Sequence, residues 1–546
     1  MNIQEIIQIV KTNHISSKIT ALEKSHIFLK KFLSDSTSHN KKELYNTAIA
    51  RANSLAIKKA GVRFIAASLL FDLPNLDKKI WKKIRREVDE EIELLVKCND
   101  YVLQVFPLPE NLAVYNHVFN TALKLSELHI DVASMCTALL HEIPIQTKIT
   151  TKEIRKKFTN QIADLIEKYQ KLHELQSAKS AKFVNNLREL ALAMAQDLRV
   201  IIIKMCSNYE NMVNEKNPPQ VLKESAIESM EILAPIADLL GIWRLRWQLE
   251  DYAFKILKPT EYERIAKRFN VDEKKNREKY IFKTKALLEK KAKEAGIACT
   301  VEGRFKHFYS IYQKMKYKNR TFSEISDVFA LRVIVNTTDD CYRVLGVIHG
   351  LWPPKQRRMK DFISAPKENS YQSLHTTVTG INNKPTEFQI RTKDMDKTAK
   401  FGVASHWNYK HKSANPTWIQ ELLIKQQKYK DDDAFFSSFI SDIIQKRIYV
   451  YSPKGDVIAL PSGATPVDFA YHIHSEVGHK CKSAIVNDVP VTLDYKLNSN
   501  DIIQIITDRK QIGPDAKWLN FIQSQTAKKH ISDFLNKTTP QDPINL

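Results

Sequence analysis

The spacing of apolar residues changes once along this chain, and that change limits what the chain can fold into. From residue 1 to about 260, apolar positions recur every three or four residues, as in IAASLLFDL and VASMCTALLHEI, which is the spacing of amphipathic helices. After residue 300 they fall in short β-branched and aromatic runs, such as FALRVIVN and EFQIRT, which are typical of strands. The sequence therefore predicts a helical first part and a mixed α/β second part.

A chain of 546 residues is too long for one hydrophobic core, so we expect several domains. Pro218-Pro219 marks one boundary, and Pro235 and Gly241 predict kinks or breaks in the helical stretch that follows. We see no internal repeat and no low-complexity tract. The predicted segments are a helical domain at 1–215, a helical connector at 216–270, a mixed domain at 271–412, a helical linker at 413–445, a β-rich module at 446–508 and a short helical tail at 509–546.

Composition and charge narrow the functional classes. No apolar run is long enough to cross a bilayer, and the N-terminus MNIQEIIQIVKTNH has no export or transit pattern. Six cysteines without a C-x-x-C pair argue against a disulfide framework or a cysteine zinc site. We therefore expect a cytoplasmic protein without membrane contact. The formal charge of +22 favours polyanionic partners such as nucleotides, RNA or ribosomes, although a lysine-rich codon bias would produce the same excess.

Basic and polar side chains recur in GRFKHFYSIYQKM, residues 303–315. We predict a helix, or its entry, with these side chains on one face, along which a polyphosphate can lie. Arginine can also stack on a purine, whereas lysine offers a compact charge. A solvated basic face remains the alternative. The candidates are Arg304, Lys306, His307, Ser310 and Lys314.

Two carboxylates stand at predicted strands. Asp327 precedes the run FALRVIV, and Glu387 shares one face of TEFQIRT with Gln389 and Arg391 by strand alternation. A carboxylate at a strand edge can hold Mg²⁺, which takes its other ligands from water and phosphates. For Asp327, a turn-capping role is the alternative.

The connection between these strands is dense in hydrogen-bond donors and contains one aromatic residue, which favours a nucleotide site over a purely structural loop. Its sequence is QRRMKDFISAPKENSYQSLHTTV. The candidates are Arg358, Lys360, Asp361, Lys367, Asn369, Tyr371, Gln372 and His375.

These segments, together with DCYRVLGVIHGLW and GVASHWNYK, resemble in order and spacing the synthetase domain of the RelA/SpoT family of alarmone synthetases and hydrolases. The resemblance implies a multidomain α+β protein. Its parts are an all-helical HD-type domain, a mixed α/β nucleotidyltransferase-like synthetase domain and a small β-grasp TGS domain. It also implies a GTP diphosphokinase of the stringent response, which transfers pyrophosphate from ATP to the 3′-hydroxyl of GDP or GTP.

The same resemblance assigns roles to the candidate residues. Asp327 and Glu387 correspond to Mg²⁺-linked carboxylates, and Glu387 also suits activation of the 3′-hydroxyl. Arg304 and Arg332 would sandwich adenine, and Tyr371 would stack on the acceptor guanine. Ser370 stands where the family has glycine. Residues implied to hold phosphates or ribose are Lys306, Ser310 and Lys314 on the ATP side, and Arg358, Lys360, Lys367, Asn369, Gln372 and His375 on the acceptor side.

For the helical domain, the resemblance implies a metal site, commonly for Mn²⁺, built from a His, a His-Asp pair and a later Asp. His117 and His141 match, but Glu142 replaces the paired Asp and Ser207 replaces the last ligand. Gln146 also stands where the family has an acid. We therefore expect a degenerate hydrolase without Mn²⁺, kept as a structural or regulatory remnant; the alternatives are weak metal binding by the two histidines and Glu142, and histidines that are only packed or hydrogen-bonded. Arg358-Met359-Lys360-Asp361 nevertheless keeps the form associated with bifunctional members.

The β-rich module contains SPKGDVIALPSGATPVDFAYHIHSEVGHKC, which resembles a TGS domain. In long family members this module meets the acceptor end of uncharged tRNA, which implies an RNA-contact role for His472, His474 and His479. A structural role for these histidines is the alternative. The family's later C-terminal regions are not expected after Leu546. The competing function is a non-catalytic regulator that binds nucleotide or tRNA through a pseudo-synthetase domain.

Overall fold

The chain folds into two compact units in a computed structural model, Met1–Leu423 and Ile424–Leu546. The predicted linker at 413–445 lies outside the described residues, and none of the described helices is long and apolar enough to cross a membrane. The structure describes residues 2–12, 19–35, 40–73, 80–177, 197–267, 271–304, 307–317, 330–355, 358–364, 366, 371–402, 447–453, 457–498, 501–508 and 513–538.

Within the described residues, the first part of the first unit is made of helices alone, as the apolar spacing predicts. Up to the connector they are α1 Ile3–Thr12, α2 Ile19–Asp35, α3 Lys41–Ile57, α4 Val62–Ser68, α5 Ile80–Glu87, α6 Glu90–Val105, α7 Leu112–Glu127, α8 Val132–Leu140, α9 Ile143–Gln146, α10 Thr151–Lys157, α11 Asn160–Ser177 and α12 Leu198–Val213.

A tandem repeat lies within these helices, and the expectation of no repeat was wrong. An offset of 70 residues places α2, α3, α4 and α5 on α6, α7, α8 and α10, and it carries the left-handed residue Lys59 (φ 63°) onto His129 (φ 59°). We call residues 19–88 copy 1 and residues 89–158 copy 2. Identical residues at matched positions include Tyr45/Tyr115, Asn46/Asn116, Ala52/Ala122, Leu55/Leu125, Val62/Val132, Leu69/Leu139, Leu70/Leu140, Ile84/Ile154 and Arg85/Arg155.

The connector is also helical, and its predicted breaks are present. A π-helical turn, Ser229–Leu233, precedes the helix that contains Pro235, and Gly241 follows that helix with φ 68°. The positive φ is a conformation that favours glycine. The connector helices are α13 Pro219–Glu228, α14 Ala234–Leu239, α15 Trp243–Leu257 and α16 Pro259–Lys267.

The mixed domain is built on a five-stranded sheet of order β1-β2-β5-β4-β3, in which β2 and β5 are parallel and the other pairs are antiparallel. One face is apolar and buries Leu331, Val333, Phe388 and Ile390. The opposite face is therefore where polar side chains of the strands collect. The elements are α17 Val271–Glu294, β1 Cys299–Arg304, α18 Phe308–Tyr317, β2 Ala330–Val335, α19 Thr338–Leu351, β3 Lys360–Asp361, β4 Leu374–Thr379, β5 Pro385–Thr392 and α20 Lys393–Phe401.

The second unit combines two small sheets with helices, and its C-terminal helix belongs to the same core. Ala527 and Ile531 of that helix are buried with Val467, Ala470 and Trp518. The elements are β6 Arg447–Tyr451, β7 Val457–Pro461, α21 Pro466–Ile473, α22 Ser475–His479, β8 Cys481–Val486, β9 Val489–Val491, β10 Ile503–Thr507 and α23 Gln525–Thr538.

Candidate active site

The strand registers bring the predicted site residues together on the polar face of the five-stranded sheet. On β5, Gln389 lies opposite Arg332 of β2 on one side and opposite His375 of β4 on the other. His375 in turn lies opposite Lys360 of β3. Because strand side chains alternate between faces, Glu387 and Arg391 share this face with Gln389. One surface thus holds a carboxylate among an amide, a histidine and several cations.

Glu387 is held in a chain of polar contacts. The amide of Gln389 donates a 2.8 Å hydrogen bond to Glu387 Oε1, and His375 Nδ1 lies 3.7 Å from the same oxygen. The other ring nitrogen of His375 lies 2.9 Å from the hydroxyl of Tyr371. The Glu387 side chain keeps about a fifth of its surface exposed, so it is fixed in direction yet open to a ligand.

Asp396 is a site residue that sequence reasoning missed. Its carboxylate lies 2.8 Å from the guanidinium of Arg391 and 2.6 Å from the ammonium of Lys400, and Arg332 Nε lies 3.5 Å away. Burial raises the pKa of Asp396, but the positive charges of Arg391, Lys400 and Arg332 outweigh it and hold the pKa below its ordinary value. The carboxylate therefore anchors two arginines of the polar face.

Among its described residues, the basic segment that was predicted to form a helix or its entry is helical only from Phe308 onward. Arg304 ends strand β1, whereas helix α18 begins at Phe308, so Arg304 is not part of the helix. Ser310 and Lys314 lie one helical turn apart on α18 and are partly exposed. His307, just before α18, stacks on the ring of Trp247 with centroids 4.0 Å apart. Lys306 lies outside the described residues.

The predicted donor-rich loop is described only in part. Arg358 and Lys360 are exposed, and Tyr371 is half-buried beside Arg391, whose guanidinium carbon lies 5.9 Å from the tyrosine ring centre. The amide of Gln372 donates to the carbonyl of Ile363 at 3.4 Å. Asp327, Lys367 and Asn369 lie outside the described residues, so their predicted roles remain predictions.

The predicted hydrolase residues also come together, in the helical part. His117, His141 and Glu142 offer one donor atom each within 4.8 Å of one another. Burial and the neighbouring His141 lower the pKa of His117 to about 4. Burial opposes ionisation of Glu142, but the two histidines hold the pKa of its carboxyl below the ordinary value. These are the deprotonated forms that bind divalent metals.

Ser207 completes this cluster without adding a strong ligand. Its hydroxyl oxygen lies 3.1 Å from His117 Nε2 and accepts a 3.0 Å hydrogen bond from the Tyr169 hydroxyl. The amide of Gln146 donates to Glu142 at 2.7 Å. The described donors therefore fit a weak divalent site, with a neutral hydroxyl where the resemblance implies a carboxylate.

In the second unit, His474 and His479, two of the predicted RNA-contact residues, each make a hydrogen-bond contact within the domain. His479 Nδ1 lies 3.0 Å from the hydroxyl of Tyr471, and His474 Nδ1 accepts from the backbone N–H of Glu476 at 3.2 Å. His472 is exposed at the end of α21. These contacts favour the structural alternative for His474 and His479.

Three family models match this chain. The model for the region found in RelA/SpoT proteins matches residues 303–414, an HD domain model matches 106–243, and a TGS domain model matches 448–507. The predicted multidomain α+β class, with HD-type, synthetase and TGS parts, is thereby confirmed. None of the three ranges includes residues 1–105.

Long relatives match over most of this chain. The Escherichia coli K12 protein named bifunctional (p)ppGpp synthase/hydrolase SpoT is 40% identical over 440 residues, which are 79% of this chain and 62% of that protein. The GTP pyrophosphokinase of Myxococcus xanthus is 38% identical over 446 residues, 79% of this chain and 58% of that one. The chain spans about three fifths of the length of these relatives.

Among solved structures, the small alarmone synthetase 1 from Bacillus subtilis bound to its product pppGpp is 20% identical and covers 32% of this chain and 97% of its own. The TM-score is 0.22, which is too low to support an inference about ligands of this chain.

Proposed function

Because this chain belongs to the RelA/SpoT family, we propose that it is a (p)ppGpp synthetase that transfers a pyrophosphate group from ATP to the 3′-hydroxyl of GDP or GTP and releases AMP. The observation that carries the proposal is the polar sheet face, where Glu387 is oriented by Gln389 among Arg332, His375 and Arg391. A fixed carboxylate beside several cations suits transfer between two nucleotide phosphates.

The reaction makes one bond and breaks one. The 3′-oxygen of the acceptor attacks the β-phosphorus of ATP, the bond from that phosphorus to the oxygen of the α-phosphate breaks, and AMP leaves with the electron pair. Glu387 takes the proton of the 3′-hydroxyl, since its carboxylate is held in direction by Gln389. Arg332, anchored by Asp396, stacks on the adenine, and Tyr371 stacks on the guanine.

Basic and polar side chains of the protein bind the phosphates of both substrates. Ser310 and Lys314 of α18 bind the ATP phosphates, and Lys360 and His375 bind those of the acceptor, with Arg358 and Gln372 at the loop. Enzymes of this family depend on a divalent metal, and we propose Mg²⁺ held by Glu387 and Asp327. Bound there, Mg²⁺ would neutralise charge on the transferred phosphates.

We propose that the hydrolase function is lost, because Ser207 and Gln146 replace two of the acidic groups that the family uses to bind metal and activate water, which leaves only Glu142 beside the histidines among the described residues. We also propose a cytoplasmic location, the domain boundaries predicted above, and contact of the TGS domain with uncharged tRNA or the ribosome, through the surface on which His472 and His474 are exposed.

One assay discriminates between synthetase, hydrolase and non-catalytic regulator. Purified protein is incubated with ATP, labelled GDP and Mg²⁺, and in parallel with labelled ppGpp and Mn²⁺, and the nucleotides are separated by thin-layer chromatography. The proposal expects ppGpp and AMP in equal amounts in the first reaction and intact ppGpp in the second. Absence of product in the first would favour the regulator, and rapid pyrophosphate release in the second would favour the hydrolase.

A further inference from the structure

Helix α18, which carries Ser310 and Lys314, is capped by a residue far away in sequence. The backbone N–H groups of Phe308 and Tyr309 donate to the carboxylate of Asp251, at 3.3 and 2.9 Å. Asp251 belongs to α15, in the helical connector. The first N–H groups of a helix need acceptors, and a negative charge at this end is favourable.

The rest of α18 packs on the same connector. Ile311 is fully buried with Phe254 of α15 and Ile265 of α16. The ammonium of Lys258 donates to the hydroxyl of Tyr312 at 2.9 Å. Before the helix, His307 lies on Trp247, and its Nδ1 is 3.8 Å from Asp251. The predicted phosphate-binding helix is therefore held in place by α15 and α16.

We propose that Asp251 is a positioning residue for the ATP side of the reaction. By capping α18 it fixes where Ser310 and Lys314 stand, although it touches no substrate. Burial raises the pKa of Asp251 to about 6, so the carboxylate is mostly ionised in an assay at pH 7.5. This inference rests on the proposed synthetase function.

The test compares Asp251→Ala, Asp251→Asn and Glu250→Gln in the full chain, with initial rates of ppGpp synthesis over a range of ATP and of GDP concentrations. Asp251→Ala is expected to raise the KM for ATP at least tenfold and to leave the KM for GDP within twofold. Asp251→Asn, which keeps one acceptor oxygen, is expected to restore most of the ATP affinity. Glu250→Gln is the matched control, because Glu250 is on the same helix and pairs with Arg246 at 3.0 Å instead of capping α18.

Hydrogen exchange distinguishes a failure of the proposed function from a failure of the proposed helix cap. If the unmodified chain makes no ppGpp, the proposed function fails, yet faster exchange of the 308–311 amides in Asp251→Ala still supports the cap. An unchanged KM for ATP, or an equal rise of both KM values, in active protein overturns the positioning role. Unchanged exchange at 308–311 overturns the cap itself.

A second inference rests on the tandem repeat. The burial pattern of the two copies agrees in detail: Leu22, Ser25 and Leu29 of α2 are buried, and so are their partners Ile92, Leu95 and Asn99 of α6. The metal-cluster positions do not agree. Thr47, Phe71 and Asp72 stand at the positions of His117, His141 and Glu142.

In copy 1, Thr47 is exposed, whereas Asp72 forms an ion pair and Phe71 packs in the core. The guanidinium of Arg51 binds Asp72 at 2.8 Å, and Phe71 is buried in an aromatic cluster. Phe64 and Phe71 of copy 1 both contact Phe119 of copy 2, with ring centroids 5.4 and 6.2 Å apart. Helix α6 packs against both α4 and α8. Close packing of buried aromatic side chains and helices across the boundary means that loosening one copy also removes contacts from the other.

We infer that copy 1, which repeats the helices of copy 2 without its metal-cluster residues, acts as a cap that stabilises copy 2. The test is hydrogen exchange of the full chain carrying Phe64→Ala, or Phe64→Leu if the first does not fold. Exchange of the α8 amides is expected to become at least tenfold faster, together with that of α4. The control Ile265→Ala, a buried change in the connector, is expected to leave α8 unaffected. Faster exchange confined to α4 would show independent copies and overturn the inference.

Discussion

His117 Nε2 lies 3.1 Å from the hydroxyl oxygen of Ser207. A serine therefore stands beside the three donors His117, His141 and Glu142, where the family has a fourth metal ligand. We predict that Ser207→Asp tightens Mn²⁺ binding by about tenfold or more, the lower end of what supporting groups contribute to metal sites, because a carboxylate is a far better ligand than a hydroxyl. Titration of Mn²⁺ followed by electron paramagnetic resonance measures the change. Ser207→Ala serves as the control, and equal Mn²⁺ affinities for the two variants would contradict the prediction.

Glu387 is the carboxylate on which synthesis depends. We predict that Glu387→Gln lowers the rate of ppGpp formation by about 10²-fold or more, because the amide cannot accept the 3′-hydroxyl proton. The rate is measured with ATP and GDP in Mg²⁺. Asp339→Asn is the matched control, since Asp339 is an exposed acid in the first turn of α19. A similar loss in both variants would point to a general effect of charge on folding.

Asp396 stabilises the mixed domain through its charge. We predict that Asp396→Asn lowers the free energy of unfolding of the first unit by about 3 kcal/mol, because it leaves the buried Arg391 and the partly buried Arg332 without their shared carboxylate. The depressed pKa of Asp396 means that its contribution is present above the unfolded pKa and is lost as the pH falls through the folded pKa. Denaturation of both proteins at pH 7 and below pH 4 should show the difference shrinking in acid. A difference that does not change with pH would contradict the electrostatic cause.

Asp468 joins the C-terminal helix to the TGS domain. Its fully buried carboxylate accepts from the backbone N–H of Thr465 at 2.8 Å, of Gln523 at 3.0 Å and of Ser524 at 2.7 Å. We predict that Asp468→Ala lowers the free energy of unfolding of the second unit by about 3 kcal/mol, since several buried donors lose their charged acceptor. Thermal unfolding followed by circular dichroism of full-length protein measures it. Asp494→Ala, at an exposed position of the same unit, is the control and should change little.

Local sequence rules were enough to predict part of the candidate active site. Strand alternation placed Glu387, Gln389 and Arg391 on one face, and the structure has them there because β5 is a regular strand whose other face is buried. Proline and glycine likewise marked the connector breaks. The same rules predicted a helix or its entry at Arg304 but not the strand that Arg304 ends, because spacing along a basic segment does not reveal that a strand ends before the helix begins.

The sequence by itself determined the element types, the family and the exchange of a metal ligand for Ser207, since these depend on residue identity and short-range spacing. Only the tertiary structure decided which distant residues meet. Parallel pairing of β2 with β5 sets Arg332 opposite Gln389, and Asp251 caps a helix 57 residues further along. The repeat stayed hidden because its matched positions are mostly common apolar residues, whose meaning appears only when burial shows that they fill equivalent places. Contacts between remote segments are fixed by packing and charge in three dimensions, and no local pattern records them.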